Sequence, residues 1–348
     1  MAYTDIDKPS DYFETKLYTG NDANNREISL GLTPDLTWIK ARNVAYGHSL
    51  FDRIRGLGFS LSSNNTNADR NVGSEFGWSN SGCTTDSFTV DRGSNESLNE
   101  SGRPMVAWNW LAGGTASSNT DGSITSNVSA STTSGFSIVS YTGTGANATV
   151  GHGLGAVPRM IIVKRRDGSD SWVVQHGSLG ASKALNLDST GAVQTYDPYW
   201  NATEPTTSVF SIGTDGRTNG SSETYIAYCF AEKKGYSKFG SYTGNGNADG
   251  TFIYTGFKPA FVMLKNTSSA QDWSMKDNKR PGYNVTDDIL YPNGNYAEGS
   301  GGDIDIVSNG FKIRTTAANT NGSGNTFIYM AFAENPFVTS TGVPATAR

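Results

Sequence analysis

With two cysteines and three histidines in 348 residues, the chain has too little material for a disulfide framework, a thiolate metal centre or a histidine-rich catalytic cluster. Cys83 and Cys229 are expected to be free thiols, Cys229 inside a buried strand. Charge is sparse too: charged residues make up 17% and the net charge is −5. Nucleic-acid binding needs clustered lysine and arginine, yet the longest basic run is Lys164-Arg165-Arg166, at an expected strand end. A long uncharged apolar stretch is missing, and residues 1–5 open no apolar leader segment. The expectation is a soluble product made in a cytoplasm, with no membrane insertion. Helical periodicity is not sustained over three turns anywhere. Heptads, a Gly-X-Y period and a short β-helix repeat are missing as well, which excludes coiled-coil shafts and collagen-like stalks.

Glycine, serine, threonine and asparagine fill the space, beside 16 tyrosines, 16 phenylalanines and 7 tryptophans. Such a mixture favours short strands and tight turns over helices. One pattern organises the chain. Tyr18, Gly31, Pro34 and Lys40 recur as Tyr141, Gly155, Pro158 and Lys164, and again as Tyr242, Gly256, Pro259 and Lys265. From the glycine onward the spacing is constant: two residues, Pro, five residues, Lys, seven residues, then His48, Trp172 or Trp273. Constant spacing in three copies marks an internal repeat. The expected fold is all-β, with three tandem β-sandwich or jelly-roll-like repeats of roughly 100 residues each.

The expected boundaries are an N-terminal arm at 1–15, repeats at 16–112, 136–234 and 235–337, and a tail at 338–348. Between the first two repeats, 113–135 reads as a Gly/Ser/Thr-rich linker that Ile124 and Val128 could pin to a surface. The closing segment of the second repeat puts Tyr225, Ala227 and Cys229 on one face and Ile226, Tyr228 and Phe230 on the other. Both sets are apolar, as for a strand buried on both sides within a sandwich.

The repeated motif reads as structural. Each Tyr-Thr-Gly is a strand end whose glycine supplies an unusual φ, and each proline marks a strand start. Each lysine ends its strand with its ammonium in water and its stem over the core edge. Trp172 and Trp273 read as core aromatics, and Asp52, His176 and Asp277, four residues further on, as polar anchors. Asn245, Asn247, Asp249 and Gly250 resemble half of a calcium loop, but the twelfth position is Gly256 and not an acid. A glycan depolymerase would need two carboxylates flanking one bond. Glu232 and Glu334 recur, yet the first repeat has Ala112 there, and Asp303 and Asp305 have no counterparts. No catalytic residue, cofactor or metal site is therefore assigned. Contact with a ligand is expected from the non-repeated aromatic loops instead, at Tyr199, Trp200, Tyr291 and Tyr296, since exposed aromatic faces beside amides suit a glycan or a protein.

Further stretches carry a resemblance. They are residues 11–21 from Asp11-Tyr12-Phe13 to Gly20-Asn21, Pro34 to Lys40, Val150-Gly151-His152-Gly153-Leu154-Gly155, Tyr236 to Gly246, and the ending Ala333-Glu334-Asn335-Pro336-Phe337. Over nearly the whole chain these resemble virion proteins of tailed bacteriophages of marine bacteria and cyanobacteria, usually described as tail-fibre-like or structural. The resemblance implies a non-enzymatic protein on the particle surface, either a host-adhesion component or a capsid decoration or head-fibre protein. Its partners would be other virion proteins and a host surface glycan or protein. Phage appendages are commonly symmetric and β edges need covering, so a homo-oligomer, a trimer first of all, is expected.

Overall fold

In the computed structural model, residues 4–78, 86–93 and 96–344 are described; Cys83 lies outside them. The fold is all-β, with antiparallel ladders throughout. A four-stranded arrangement occurs three times in the same order. An entry strand pairs with a closing strand, the closing strand with the strand carrying the Pro-to-Lys motif, and that motif strand with a rim strand. In the first unit these are Phe13–Thr19, Pro104–Trp110, Leu36–Ala41 and Ser49–Asp52. The second unit has Phe136–Thr142, Thr224–Ala231, Pro158–Arg165 and Val173–His176, and the third Ser237–Thr243, Thr326–Pro336, Phe257–Asn266 and Ser274–Asp277.

Each unit packs its four strands against a second sheet. That sheet is Arg26–Ser29, Ser87–Val90 and Phe76–Trp78 in the first unit, and Ala148–Gly151 with Val209–Ile212 in the second. In the third it is Phe252–Tyr254, Gly310–Ile313, Gly299–Val307 and Thr286–Ile289. A separate apolar core fills each sandwich.

The strand alternation then explains a fourth core. In the closing strand Thr224–Ala231, Tyr225, Ala227 and Cys229 face the unit's own core, whereas Ile226, Tyr228 and Phe230 face a cluster built by all three units. Trp38, Trp108 and Trp110 reach it from the first unit, Trp172 from the second, and Phe261, Trp273 and Phe332 from the third. Phe332 lies 5.3 Å from Phe13, 5.8 Å from Trp110 and 5.9 Å from Phe230, ring centre to ring centre. The second apolar face therefore does not close a sandwich. It buries against the neighbouring units, which makes the three sandwiches one body.

Other expectations change as well. Residues 113–135 are not an unpaired linker: Ser117–Asn119 and Ser126–Ser131 add two strands to the edge of the entry strand Phe136–Thr142. Ile124 and Val128 are buried there. Pro158 does begin its strand, Pro34 stands just before one, and Pro259 is the third residue of its strand, at a break in register where a missing N–H is tolerated. The glycines Gly20, Gly143 and Gly244 do not have positive φ. Their constraint is space, since an added Cβ would sit 2.0 Å, 2.3 Å and 2.4 Å from the carbonyl oxygens of Glu100, Gly220 and Gly322. Positive φ occurs at Gly155 and Gly256 but not at Gly31.

Candidate functional site

The repeated polar residues assemble at the junctions between units. At the constant aromatic or histidine position, a ring N–H donates to a backbone carbonyl of a neighbouring unit. Trp172 Nε1 donates to Ser62 O, Trp273 Nε1 to Asn186 O and His48 Nε2 to Tyr291 O, each at 3.0 Å. Every unit gives one such bond and receives one, so the three junctions close a ring. The backbone repeats the scheme: Asp69 N donates to Arg166 O, Val193 N to Thr267 O and Glu298 N to Arg42 O.

Side chains make the junctions unequal. At two of them an acid sits between two arginines: Asp69 between Arg55 and Arg166, and Glu298 between Arg280 and Arg42. At the third, Leu179 and Val193 pack on the shared core beside Thr267. The rim-strand ends follow suit. Asp52 pairs with Arg55 and accepts the Tyr228 hydroxyl at 2.8 Å; Asp277 pairs with Arg280 and accepts Trp108 Nε1 at 3.1 Å. The corresponding partner at the third junction is Met330, which has no donor. The rim residue there is His176, whose Nε2 donates to the Tyr329 carbonyl at 3.1 Å.

Protonation states follow from these bonds. His48 Nδ1 accepts Trp38 Nε1–H at 2.8 Å, so its Nε2 carries the proton given to Tyr291. Burial holds the His48 pKa down at about 3 and that of His176 at about 4, and both rings are neutral near pH 7. Burial raises the Asp277 carboxyl, but the charge and hydrogen bonds of Arg280 outweigh it, and the net shift is downward.

The lysine expectation is overturned. Lys40, Lys164 and Lys265 are at most 1% exposed, and their ammonium groups are buried rather than in water. Each Nζ donates to the carbonyl of its strand's last residue and to one in the loop that follows: Ala41 and Val44, Arg165 and Gly168, or Asn266 and Gln271. Burial lowers all three pKa values to about 8. The glycine-proline-lysine spacing thus records a loop clamp beneath each junction.

The aromatic loops behave differently from one another. Tyr199 and Trp200 are fully buried in the core of the second unit, so they are not contact residues. The 3₁₀ turn Asp197–Tyr199 folds them inward, because the chain gains more by burying two large rings than by leaving them in water. Tyr291 is half-buried and gives its carbonyl to His48, while Tyr296 is 57% exposed. Among acidic residues singled out earlier, Glu232 pairs with Lys238, Glu334 with Lys258 and Asp305 with Arg314, in three separate ion pairs. The calcium-like loop satisfies itself: Asn245 accepts from Asn247 N and Asn321, and Asp249 pairs with Lys312. Among the described residues, no group of three or more His, Cys, Asp or Glu side chains could hold a metal ion, and no helix is long and apolar enough to cross a membrane. Cys229 is a buried thiol whose pKa burial pushes up.

Sequence reasoning missed a polar cleft of about 530 Å3 on the first unit, reaching Asn295 of the third. The only signal for it was the asparagine run at Asn64, Asn65 and Asn67.

Fold and junctions together define an all-β protein of three sandwiches joined around one core. Residues 8–336 match the family described as a domain of unknown function, DUF7483, and the chain belongs to that family. No curated protein and no solved structure matches it.

Proposed function

We propose that this chain is a non-enzymatic structural protein of the surface of a tailed-bacteriophage particle, a compact tail-fibre-like knob that contacts the host. One observation carries the reading. The polar side chains recurring at constant spacing are all engaged within and between the units, and what remains for contact is the exposed loops on a rigid frame. A frame of this kind suits binding, because loops held by a packed scaffold keep their side chains in place. Partners on this reading are other virion proteins and a host surface glycan or protein, with no cofactor. The resemblance to phage structural proteins supports the same placement.

Gold-labelled antibody on intact particles tests it, together with competition of the purified protein against phage adsorption. Label at the tail tip with competition is the expected result. Label spread over the head without competition would move the protein to capsid decoration. Absence from the particle, or release of reducing sugar from host polysaccharide, would overturn the proposal.

A further inference from the structure

The cleft on the first unit stands where the second unit has solid core. Counted along the constant spacing, Ser49 and Ser60 correspond to Val173 and Ala184. The pairing agrees: Ile39 opposes Ser49 as Val163 opposes Val173, and Ser60 opposes Arg70 as Ala184 opposes Gln194. Val173 and Ala184 are fully buried in one apolar cluster with Tyr199 and Trp200. In the first unit the two positions are serines, 2% and 3% exposed, and Ser60 forms part of an open cleft. A buried serine in place of a core valine or alanine costs stability unless something uses its hydroxyl. Ser49 donates to Glu96, whose other carboxylate oxygen takes Arg70. That ion pair neutralises the one charged wall of the cleft.

The amides set the chemistry. Asn64 Oδ1 is filled by His48 N and the Ser62 hydroxyl, and Asn65 Oδ1 by Asn67 N. The amide NH2 groups of Asn64 and Asn65 are left as donors along a cleft whose volume lies in the range of small-ligand sites, roughly 300–1,000 Å3. Neutral walls, several amide donors and a hydroxyl floor match a ligand rich in hydroxyl groups and without net charge.

We infer that this cleft binds an uncharged saccharide, one or two sugar residues long, through the amides of Asn64 and Asn65 and the Ser60 hydroxyl. The inference rests on the surface-contact reading above and names the ligand class that one part of the surface would take.

Saturation-transfer NMR with lactose, maltose, cellobiose and N,N′-diacetylchitobiose at millimolar concentration tests it. Transfer to the wild-type protein from at least one sugar is expected. Asn67→Trp, at an exposed position of the cleft wall, should weaken that binding at least tenfold with the melting temperature unchanged. Ser60→Leu should do the same by filling the floor, and Tyr254→Ala, on the outer sheet of the third unit, should leave binding intact. No transfer from any of the four sugars, or transfer that survives Asn67→Trp, overturns the inference. Protein that competes for host adsorption yet binds none of the sugars removes the cleft and keeps the surface role. Sugar binding abolished by Asn67→Trp in a protein that competes for nothing supports the cleft and removes the surface role.

Discussion

Exchanging the His48 contact for its counterpart in the other units probes the junction chemistry directly. His48 is fully buried and its ring makes two bonds, one from Trp38 and one to Tyr291. The other units have Trp172 with Ile162 and Trp273 with Met263 in these two places. His48→Trp alone supplies the indole donor for Tyr291, but it overfills the site and strands the Trp38 N–H. Overpacking together with one unpaired buried donor costs about 2–4 kcal/mol. Trp38→Ile alone removes a large ring and leaves His48 Nδ1 without its donor, at about 3–5 kcal/mol. The double variant restores both volume and bonding, so its loss should stay below about 1.5 kcal/mol, a coupling of several kcal/mol.

Acid sensitivity gives the same variant a second readout. The folded-state pKa of His48 is depressed, so below the ordinary value of 6.5 the unfolded chain takes up a proton that the folded chain refuses. Its contribution is fully present above pH 6.5 and declines as pH falls toward about 3. At pH 5 the decline amounts to about 2 kcal/mol for this one group. Urea unfolding at pH 7.5 and pH 5 should show the double variant losing about 2 kcal/mol less than wild type. Purely additive single-site losses, or an unchanged pH dependence, would refute the junction reasoning.

Three further outcomes are expected. Glu298→Ala removes the acid between two arginines at a partly buried junction, where Arg42 keeps Asp288 and Arg280 keeps Asp277, and should cost about 1.5–3 kcal/mol in denaturant unfolding, whereas Asp11→Ala in the exposed pair with Lys8 should leave unfolding unchanged. Trp200→Ala should cost about 3–5 kcal/mol by opening the second core, whereas Tyr296→Ala should leave melting unchanged, and equal effects would contradict the burial described here. Lys40, Lys164 and Lys265 have folded pKa values below that of a free lysine, so the cost of burying their charge holds below about pH 8 and is relieved as pH rises toward 10.5. Between pH 7.5 and 9.5, Lys265→Met should remove about 1–2 kcal/mol of the resulting gain in stability, checked by unfolding at both pH values.

Much of this fold was legible in the residues. Short alternating runs between glycines and asparagines gave the strands, and the two apolar faces of Tyr225 to Phe230 were both real. Alternation names two faces but not what each meets, and so the shared core stayed hidden. The lysines misled because a strand-end lysine usually keeps its head in water, and nothing local shows that the following loop will turn its carbonyls onto the ammonium. Tyr199 and Trp200 looked like loop aromatics because their burial depends on a turn and on distant Val173 and Ala184. Residues 113–135 looked like linker by composition, since small polar residues serve equally well in added edge strands. The cleft was legible only in part, because buried Ser49 and Ser60 stand out only beside their counterparts in another unit.

The inequality of the three junctions has a bearing on assembly during folding. Were all three alike, the units could close round the core in the opposite order at no loss. As built, exchanging two of the units would set Leu179 and Val193 against Arg42 and leave Asp69 without its second guanidinium. Removing one partner of a buried charge group is among the most unfavourable single events in a protein interior. The order of the units round the shared core is therefore set by the charges at their seams.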